Sequence, residues 1–422
     1  VSGVPLFLPA AGGTEALLAD ECRGLLGAAV RVEAGRGGVV VHGDEAVAMR
    51  LNLHSRIAQR VLWPLATGGY RDEADLYALA RGVRWADWIT PRQSLRVATS
   101  ARHCPLRSLQ FAALRVKDAV CDALRATHGA RPGVDLRAPD LALLLHLDAA
   151  QATLYVDTSG EPLFKRGWRD AAAAGHEVKG EAPLKETLAA AMLAAAGWHG
   201  RAGDPPLLDP CCGAGTIAIE AAQLACGIAP GLQRRFAFER LAPFAGQRAA
   251  WHALQRSARE QVHAPAVAVF AGDVSFRMTD FAARNAARAG VGAAIEFKTA
   301  DALQRPPPAP RGVLMLNPPY GERLAPKGSV TAAGEAREAA SGGEGDFFAA
   351  LAAHWKRHYA GWTAWVLSPD ARLPARMRLH ESRRVPLWNG PIECRLFRFE
   401  LVAGAHRRAG SAAPPQDPPA TA

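Results

Sequence analysis

The order of apolar and polar positions changes character near the middle of the chain. Up to about Ser159, short strand-like runs mix with helices. Gly38–His42 and Leu95–Thr99 predict strands, and Ser108–Ala126 repeats apolar residues at helical spacing (Phe111, Leu114, Val116, Val120, Leu124). From Pro206 onward the alternation is regular: Leu207–Leu208, Val267–Ala271, Ile295–Lys298, Val313–Leu316 and Thr363–Leu367 predict strands with helices between them. The alanine-rich run Lys185–Ala196 predicts a helix just ahead of this region. Such alternation predicts a parallel sheet covered by helices. Between the two regions, residues 160–184 are glycine-rich, basic and weakly periodic, as expected of an interdomain connector. The last residues, 404–422, are rich in Pro, Ala and Gly and predict a disordered tail. There is no internal repeat.

Composition narrows the class. A chain of 422 residues exceeds the usual size of one domain, and 49% hydrophobic with 21% charged residues suits a soluble protein with a sizeable core. The run Leu141–Leu147 is too short to span a membrane and is followed by Asp148, while Val1–Pro9 lacks a basic leader. A cytoplasmic location is therefore the default expectation. The net charge of +10 permits attraction to polyanions. Its arginine bias alongside abundant alanine equally suits a GC-rich genome, so charge alone leaves a nucleic-acid partner open. The seven cysteines include no CxxC pair, and the adjacent Cys211 and Cys212 have the wrong spacing for structural zinc. Free thiols in a reducing compartment, with no metal site, are expected.

Two strings carry chemistry. The first is LLDPCCGAGTIAIEAA, residues 207–222. An apolar strand runs into Asp209, a turn of small residues follows (Pro210, Cys211, Gly213, Ala214, Gly215), and a helix begins near Thr216. Small residues let the backbone approach a ligand closely at the carboxyl edge of a strand, where open α/β sheets bind nucleotides. The turn is not GxGxxG and lacks the lysine of a phosphate-binding loop. An acid at its mouth suits a cationic, phosphate-free ligand, and S-adenosylmethionine has an ammonium, a sulfonium and no phosphate. Asp273, closing FAGD, could accept hydrogen bonds from both ribose hydroxyls, and Asp301, in TAD, one from the adenine amino group. Val274 and Ala302 would then flank the adenine ring. A single aspartate in such a place is more often a helix cap; three on successive strand ends are what point to a cofactor.

The second string is LMLNPPYGERL, residues 314–324. A hydrophobic strand ends in Asn317, Pro318, Pro319 and Tyr320, the prolines fixing the backbone beyond the sheet edge. An exocyclic base amine is a poor nucleophile because its lone pair is delocalised into the ring. The Asn317 side-chain oxygen and the Pro318 carbonyl can each accept one of its N–H bonds, aiming the nitrogen at a methyl-sulfonium. Tyr320 offers a face for stacking the base. The following segment, Ala325–Gly345, is expected to form a loop that closes over the flipped base. Arg102, Arg107, Lys117, Lys165, Arg166 and Arg169 are the candidate phosphate contacts.

With these residues in view, the chain resembles the THUMP-domain class I methyltransferases, and among them the bacterial 23S rRNA guanine-N2 methyltransferase family (RlmL-type). The matching strings run from PLFLPAAGGTEALLADE near the start to LWNGPIECRLFRFEL. The two chemical strings mark the superfamily, while LRVKDAVCDAL, GEPLFKRGWRD and APLKETLAAAML narrow the resemblance to this family. The resemblance implies an α/β fold in which a Rossmann-like methyltransferase domain, 185–403, follows an α+β RNA-binding region. That region would comprise a ferredoxin-like module, 1–55, and a THUMP domain, 56–159. It implies S-adenosylmethionine as methyl donor and guanine N2 in 23S rRNA or the assembling large subunit as acceptor. Where the family often has a second acid after Asp273, this chain has Ser275. Some relatives are fusions with a second methyltransferase domain, whose activity is not expected here. Competing readings are a tRNA guanine-N2 methyltransferase, a DNA amino-methyltransferase, and a non-catalytic RNA-binding assembly factor.

Overall fold

Leu6 and Leu8 on one strand and Val39 and Val41 on another all lie on the buried side of the sheet they form, the period-two signature of strands with one face in the core. They belong to β1 (Val4–Pro9) and β3 (Gly38–Gly43), which pair antiparallel with Leu6 opposite Val41. In this computed structural model, which describes residues 3–169, 184–318 and 344–402, the first unit runs β1, α1 (Glu15–Leu26), β2 (Val32–Gly35), β3, α2 (Glu45–His54) and β4 (Leu62–Gly69). The second runs α3 (Glu73–Arg81), β5 (Ser94–Ala101), α4 (Leu109–His128), β6 (Gly133–Val134), β7 (Leu141–Leu147) and β8 (Gln151–Asp157).

The two units share one eight-stranded sheet in the order β2-β3-β1-β4-β8-β7-β5-β6. β4 joins them: it meets β1 at Phe7–Leu62 and runs antiparallel to β8 from Leu62–Asp157 to Gly69–Gln151. Pro64 cannot donate to the ladder, and the register of that pair shifts between Pro64 and Ala66. The boundary expected at residue 55 thus falls before the strand that completes the first unit. The predicted helix is α4, capped by Ser108, whose hydroxyl accepts the Phe111 N–H. Its buried face differs from the apolar spacing. Phe111 and Leu114 are 49% and 43% exposed, while Ala112, Ala119 and Cys121 join Val116, Val120 and Leu124 inside. Trp63, Trp85 and Trp88, which lie among arginines in sequence, are core or packed against it.

The remaining elements are α5 (Glu186–Ala195), β9 (Leu207–Asp209), α6 (Thr216–Ala225), α7 (Arg248–Glu260), β10 (Val269–Asp273), α8 (Phe276–Arg288), β11 (Ile295–Thr299), β12 (Gly312–Leu316), α9 (Glu344–His358), β13 (Trp362–Ser368), α10 (Leu373–Met377), β14 (Glu381–Asn389) and β15 (Ile392–Leu401). Their sheet has the order β11-β10-β9-β12-β13-β15-β14, parallel through β13, with β15 and β14 antiparallel. Its central strands are buried on both faces: Leu207, Val269 and Met315 pack on the α5/α6/α8 side, and Leu208, Leu314 and Leu316 on the α9 side. Among the described residues no helix is long and apolar enough to cross a membrane.

The connector expectation needs correction. Residues 160–169 are a packed strap: Leu163 lies in the N-terminal core and Trp168 in the core of the second sheet. Arg166, expected to meet phosphate, is 3% exposed. Its Nε donates to Glu220 Oε1 at 3.0 Å, and its other nitrogens to the carbonyls of Leu163 and Arg56 at 2.7 Å. Arg56, from the turn after α2, donates to the other Glu220 oxygen at 3.1 Å and also to the Ile228 carbonyl. Glu21 on α1 holds that turn by accepting the Ser55 hydroxyl at 2.6 Å and the Arg56 N–H at 2.8 Å. Glu220 itself, in the middle of α6, has no solvent exposure. Removing its charge leaves two buried guanidiniums unpaired, a loss of about 3–5 kcal/mol for such a change. Glu220→Ala should therefore lower unfolding free energy by about that amount in chemical denaturation; a loss under about 1 kcal/mol would remove the cluster from the load-carrying contacts of the junction.

Candidate functional site

The strand register brings the two chemical strings to one edge. Ala271 of β10 is level with Asp209 of β9, so Asp273 stands two residues further out. Thr299 of β11 is level with Asp273, placing Asp301 beyond it, and on the other side Leu314 of β12 is level with Leu208, placing Asn317 beyond β12. The strand order reverses between β9 and β12, and the carboxyl edge at such a switch point is where open α/β sheets form their ligand crevice.

The loop after β9 is held by the acids it was expected to serve with. Gly213 donates its N–H to Asp273 Oδ2 at 3.1 Å, Ser275 donates to Oδ1 at 3.0 Å, and Cys212 donates to the Gly272 carbonyl at 2.8 Å. Gly215, at φ +86°, caps α6, and a Cβ there would meet Ala282 at 3.0 Å; only glycine fits both the turn and the close approach of α8. Asn285 on α8 anchors the Ala214 carbonyl at 2.9 Å. Ser275 is the N-cap of α8, its hydroxyl accepting from Met278. Asp301 accepts the Leu303 N–H through Oδ1 alone among the described contacts. Val274 is 65% exposed, whereas Ala302 is buried against the α9-side core. Pro210 and Cys212 are buried, and Cys211 is partly so.

The electrostatics of this edge are set by buried and closely spaced acids. Burial pushes the Asp209 carboxyl up to about 8, the Cys211 N–H opposing and the nearby Asp273 reinforcing the rise. Burial and the nearby acids hold the Cys211 and Cys212 thiols well above their usual range. Beneath this edge lies Arg305, which sequence reasoning passed over. It is buried and donates to the Ala271 carbonyl at 2.9 Å, while its own carbonyl accepts from Tyr359 at 2.9 Å. The residues fit S-adenosylmethionine: the loop carries no lysine or arginine for a phosphate, and the acids at this edge suit a cationic, phosphate-free ligand.

The expected RNA contacts separate into two groups. Arg102 and Arg107 lie at the end of β5 and before α4, partly or fully exposed, and Lys117 on α4 pairs with Asp118 at 2.8 Å. Lys165 is exposed and pairs with Glu161. Arg169, by contrast, is turned inward. It donates to Glu186 at 2.5 Å and to the Thr216 hydroxyl at 2.8 Å at the start of α6, and its guanidinium lies 5.1 Å from the Trp168 ring centre. Arg166 and Arg169 are thus struts of the strap, occupied by protein partners. Asn317 and the buried Pro318 stand at the sheet edge. Pro319, Tyr320 and the expected closing loop, up to Gly343, lie outside the described residues.

Known proteins resemble this chain over most of its length. A family model described as RMKL-like, methyltransferase domain matches residues 174–398, a THUMP domain model 70–157, and an RlmL ferredoxin-like domain model 5–62. A putative RNA methyltransferase of Synechocystis sp. is 34% identical over 402 residues, covering 94% of this chain and 97% of that protein. The ribosomal RNA large subunit methyltransferase K/L of Syntrophotalea carbinolica is 37% identical over 428 residues, covering 98% of this chain and 56% of that protein. The chain thus spans about half the length of the K/L relatives it matches. A crystal structure of a putative methyltransferase complexed with SAH superposes with a TM-score of 0.80 at 25% identity, covering 96% of this chain and 99% of that one.

A carboxyl whose pKa is raised on folding favours the folded state only while protonated. The contribution of Asp209 is present below about pH 4 and is lost as pH rises toward 8. In the ligand-free protein, Asp209→Asn should flatten the fall of melting temperature between about pH 5 and pH 8. Parallel pH profiles for the two proteins would contradict a buried, neutral Asp209.

Proposed function

The chain belongs to the RMKL-like family of S-adenosylmethionine-dependent methyltransferases that carry a THUMP domain, and from that premise we propose that it methylates guanine N2 in 23S rRNA. The observation that carries this reading is the register of the sheet edge, which sets Asn317 and Pro318 beside the Asp209 loop. The K/L name of several relatives supports rRNA as the substrate, and the matched THUMP domain supports an RNA partner in general.

In this reading Asp273 holds the cofactor's ribose hydroxyls, Asp301 its adenine amine, and the Asp209 loop its amino-acid end. Val274 and Ala302 border the adenine. The bound cofactor supplies an electrophilic methyl group on sulfonium. Asn317 and the Pro318 carbonyl each accept an N–H bond from the guanine amine, orienting its lone pair and favouring the positive charge that grows on nitrogen during transfer. Pro319 stiffens the turn and Tyr320 stacks on the base. The work is positioning and electrostatic stabilisation, and no strong general base is required. Arg102, Arg107 and Lys117 contact phosphates in the THUMP region.

The test is single-turnover transfer of labelled methyl groups to protein-free 23S rRNA, with tRNA and DNA as competing acceptors. Wild type should label 23S rRNA, and Asn317→Ala should cut that rate by at least ~100-fold while S-adenosylmethionine affinity stays near wild type. A folded Asn317→Ala protein transferring at the wild-type rate would remove the proposed mechanism, and labelling of tRNA or DNA alone would replace the substrate.

A further inference from the structure

Between α6 and β10 the methyltransferase domain makes an excursion, residues 226–262, that packs on the N-terminal layer. Phe238, Phe244 and Trp251 from this excursion belong to the N-terminal core, with Phe244 edge-on to Trp63 at 5.8 Å between ring centres. Above these rings lies a cavity of about 200 Å³ whose rim is formed by Arg235, Arg240 and Arg248. It is smaller than the roughly 300–1,000 Å³ pockets of drug-sized ligands, which argues for a single phosphate-bearing unit over a whole cofactor.

The helix that follows extends the basic rim. On α7, Arg248, His252, Arg256 and Arg259 fall within about a quarter-turn of one another, while Trp251, Leu254 and Ala258 occupy the face that packs inward. All four basic residues are exposed. Among the described residues no carboxylate pairs with Arg235, Arg240, Arg248, Arg256 or Arg259. The nearest acid on the cavity wall, Glu239, is engaged by the Phe236 N–H at 2.8 Å. Arg240 also donates to the Pro139 carbonyl at 3.1 Å, which ties the rim to the THUMP half of the first sheet. Elsewhere on this protein many arginines have carboxylate partners, including Arg56, Arg60, Arg166 and Arg169. A row of unpaired guanidiniums at the junction of both domains fits a polyanion with evenly spaced charges.

We propose that the α7 stripe, with the cavity at its start, is a second docking surface for the phosphate backbone of the substrate RNA, separate from the THUMP contacts. This rests on the RNA-methyltransferase reading above. RNA held here is fixed to the methyltransferase domain itself as well as to the THUMP region.

The measurement is the affinity of the full chain for protein-free 23S rRNA at salt concentrations from about 50 to about 200 mM. Replacing Arg248, Arg256 and Arg259 together by Gln should weaken binding by at least ~10-fold at the low-salt end. It should also make the slope of log K against log salt shallower by about 2–3, near 0.7–0.9 per lost phosphate contact. The triple Lys replacement should keep most of both. S-adenosylmethionine affinity, measured in parallel, should be unchanged in all variants. If the triple Gln protein fails this folding check, Arg256→Gln alone decides, with a slope change of about 0.7–0.9 expected. Unchanged affinity and slope in a variant that binds cofactor would overturn the stripe and leave the RNA reading intact. No RNA binding by wild type would overturn both.

Discussion

A carboxylate with no access to water has to be neutralised where it sits, and Glu220 meets two guanidiniums that arrive from different parts of the chain. Arg56 comes from the turn after α2 in the N-terminal layer, Arg166 from the strap, and Glu220 from the helix that starts at the cofactor loop. Burial lowers the proton affinity of Arg56 and Glu220 opposes it, so the cluster holds together only as a charged set. Such a cluster tolerates little displacement, because sliding the layers apart would strand a buried ion. The N-terminal layer is therefore docked on the methyltransferase domain. Three residues further along the strap, Arg169 joins Glu186 to the Thr216 hydroxyl, so the strap reaches the first residue of α6.

That junction bears on chemistry because the site is built from few and rigid parts. The Asp273 carboxylate accepts the Gly213 N–H through one oxygen and the Ser275 N–H through the other, so one residue ties the loop after β9 to the start of α8. Arg305 and Tyr359 brace the floor below. Burial and the neighbouring Asp273 both raise the Asp209 carboxyl, which eases the repulsion of adjacent carboxyls at this edge. Asn317 and Pro318, just beyond β12, stand next to the loop after β9 because β12 pairs with β9 in the same sheet.

The methyltransferase half was legible because parallel strands buried on both faces read as apolar runs, and their ends carry Asp209, Asp273, Asp301 and Asn317 in order. The sheet confirms those strands to within about two residues, the ordinary uncertainty of element ends. The N-terminal half was less legible. On α4 the close approach of the sheet selects Ala112 and Ala119 for the inner face, which a search for large apolar residues overlooks, and Phe111 and Leu114 stay outside. The strap was misread because Gly160, Lys165 and Gly167 resemble a linker. Its Leu163, Arg166 and Trp168 find partners far away in sequence, and composition holds no record of them. One signal was available: a lone charged residue, the glutamate of TIAIEAA, on a helix with no other charge and mostly small or apolar residues, calls for a buried cation.

The account as a whole claims that a docked RNA-binding layer delivers one guanine amine to Asn317 at the edge of the second sheet. Mass-spectrometric mapping of methylated nucleosides, in rRNA and tRNA from cells with and without this gene, tests it most directly. The account predicts that a single N2-methylguanine in 23S rRNA disappears with the gene while tRNA is unchanged. Loss of a methylated guanine from tRNA alone, or of a methylated adenine from either RNA, would contradict it.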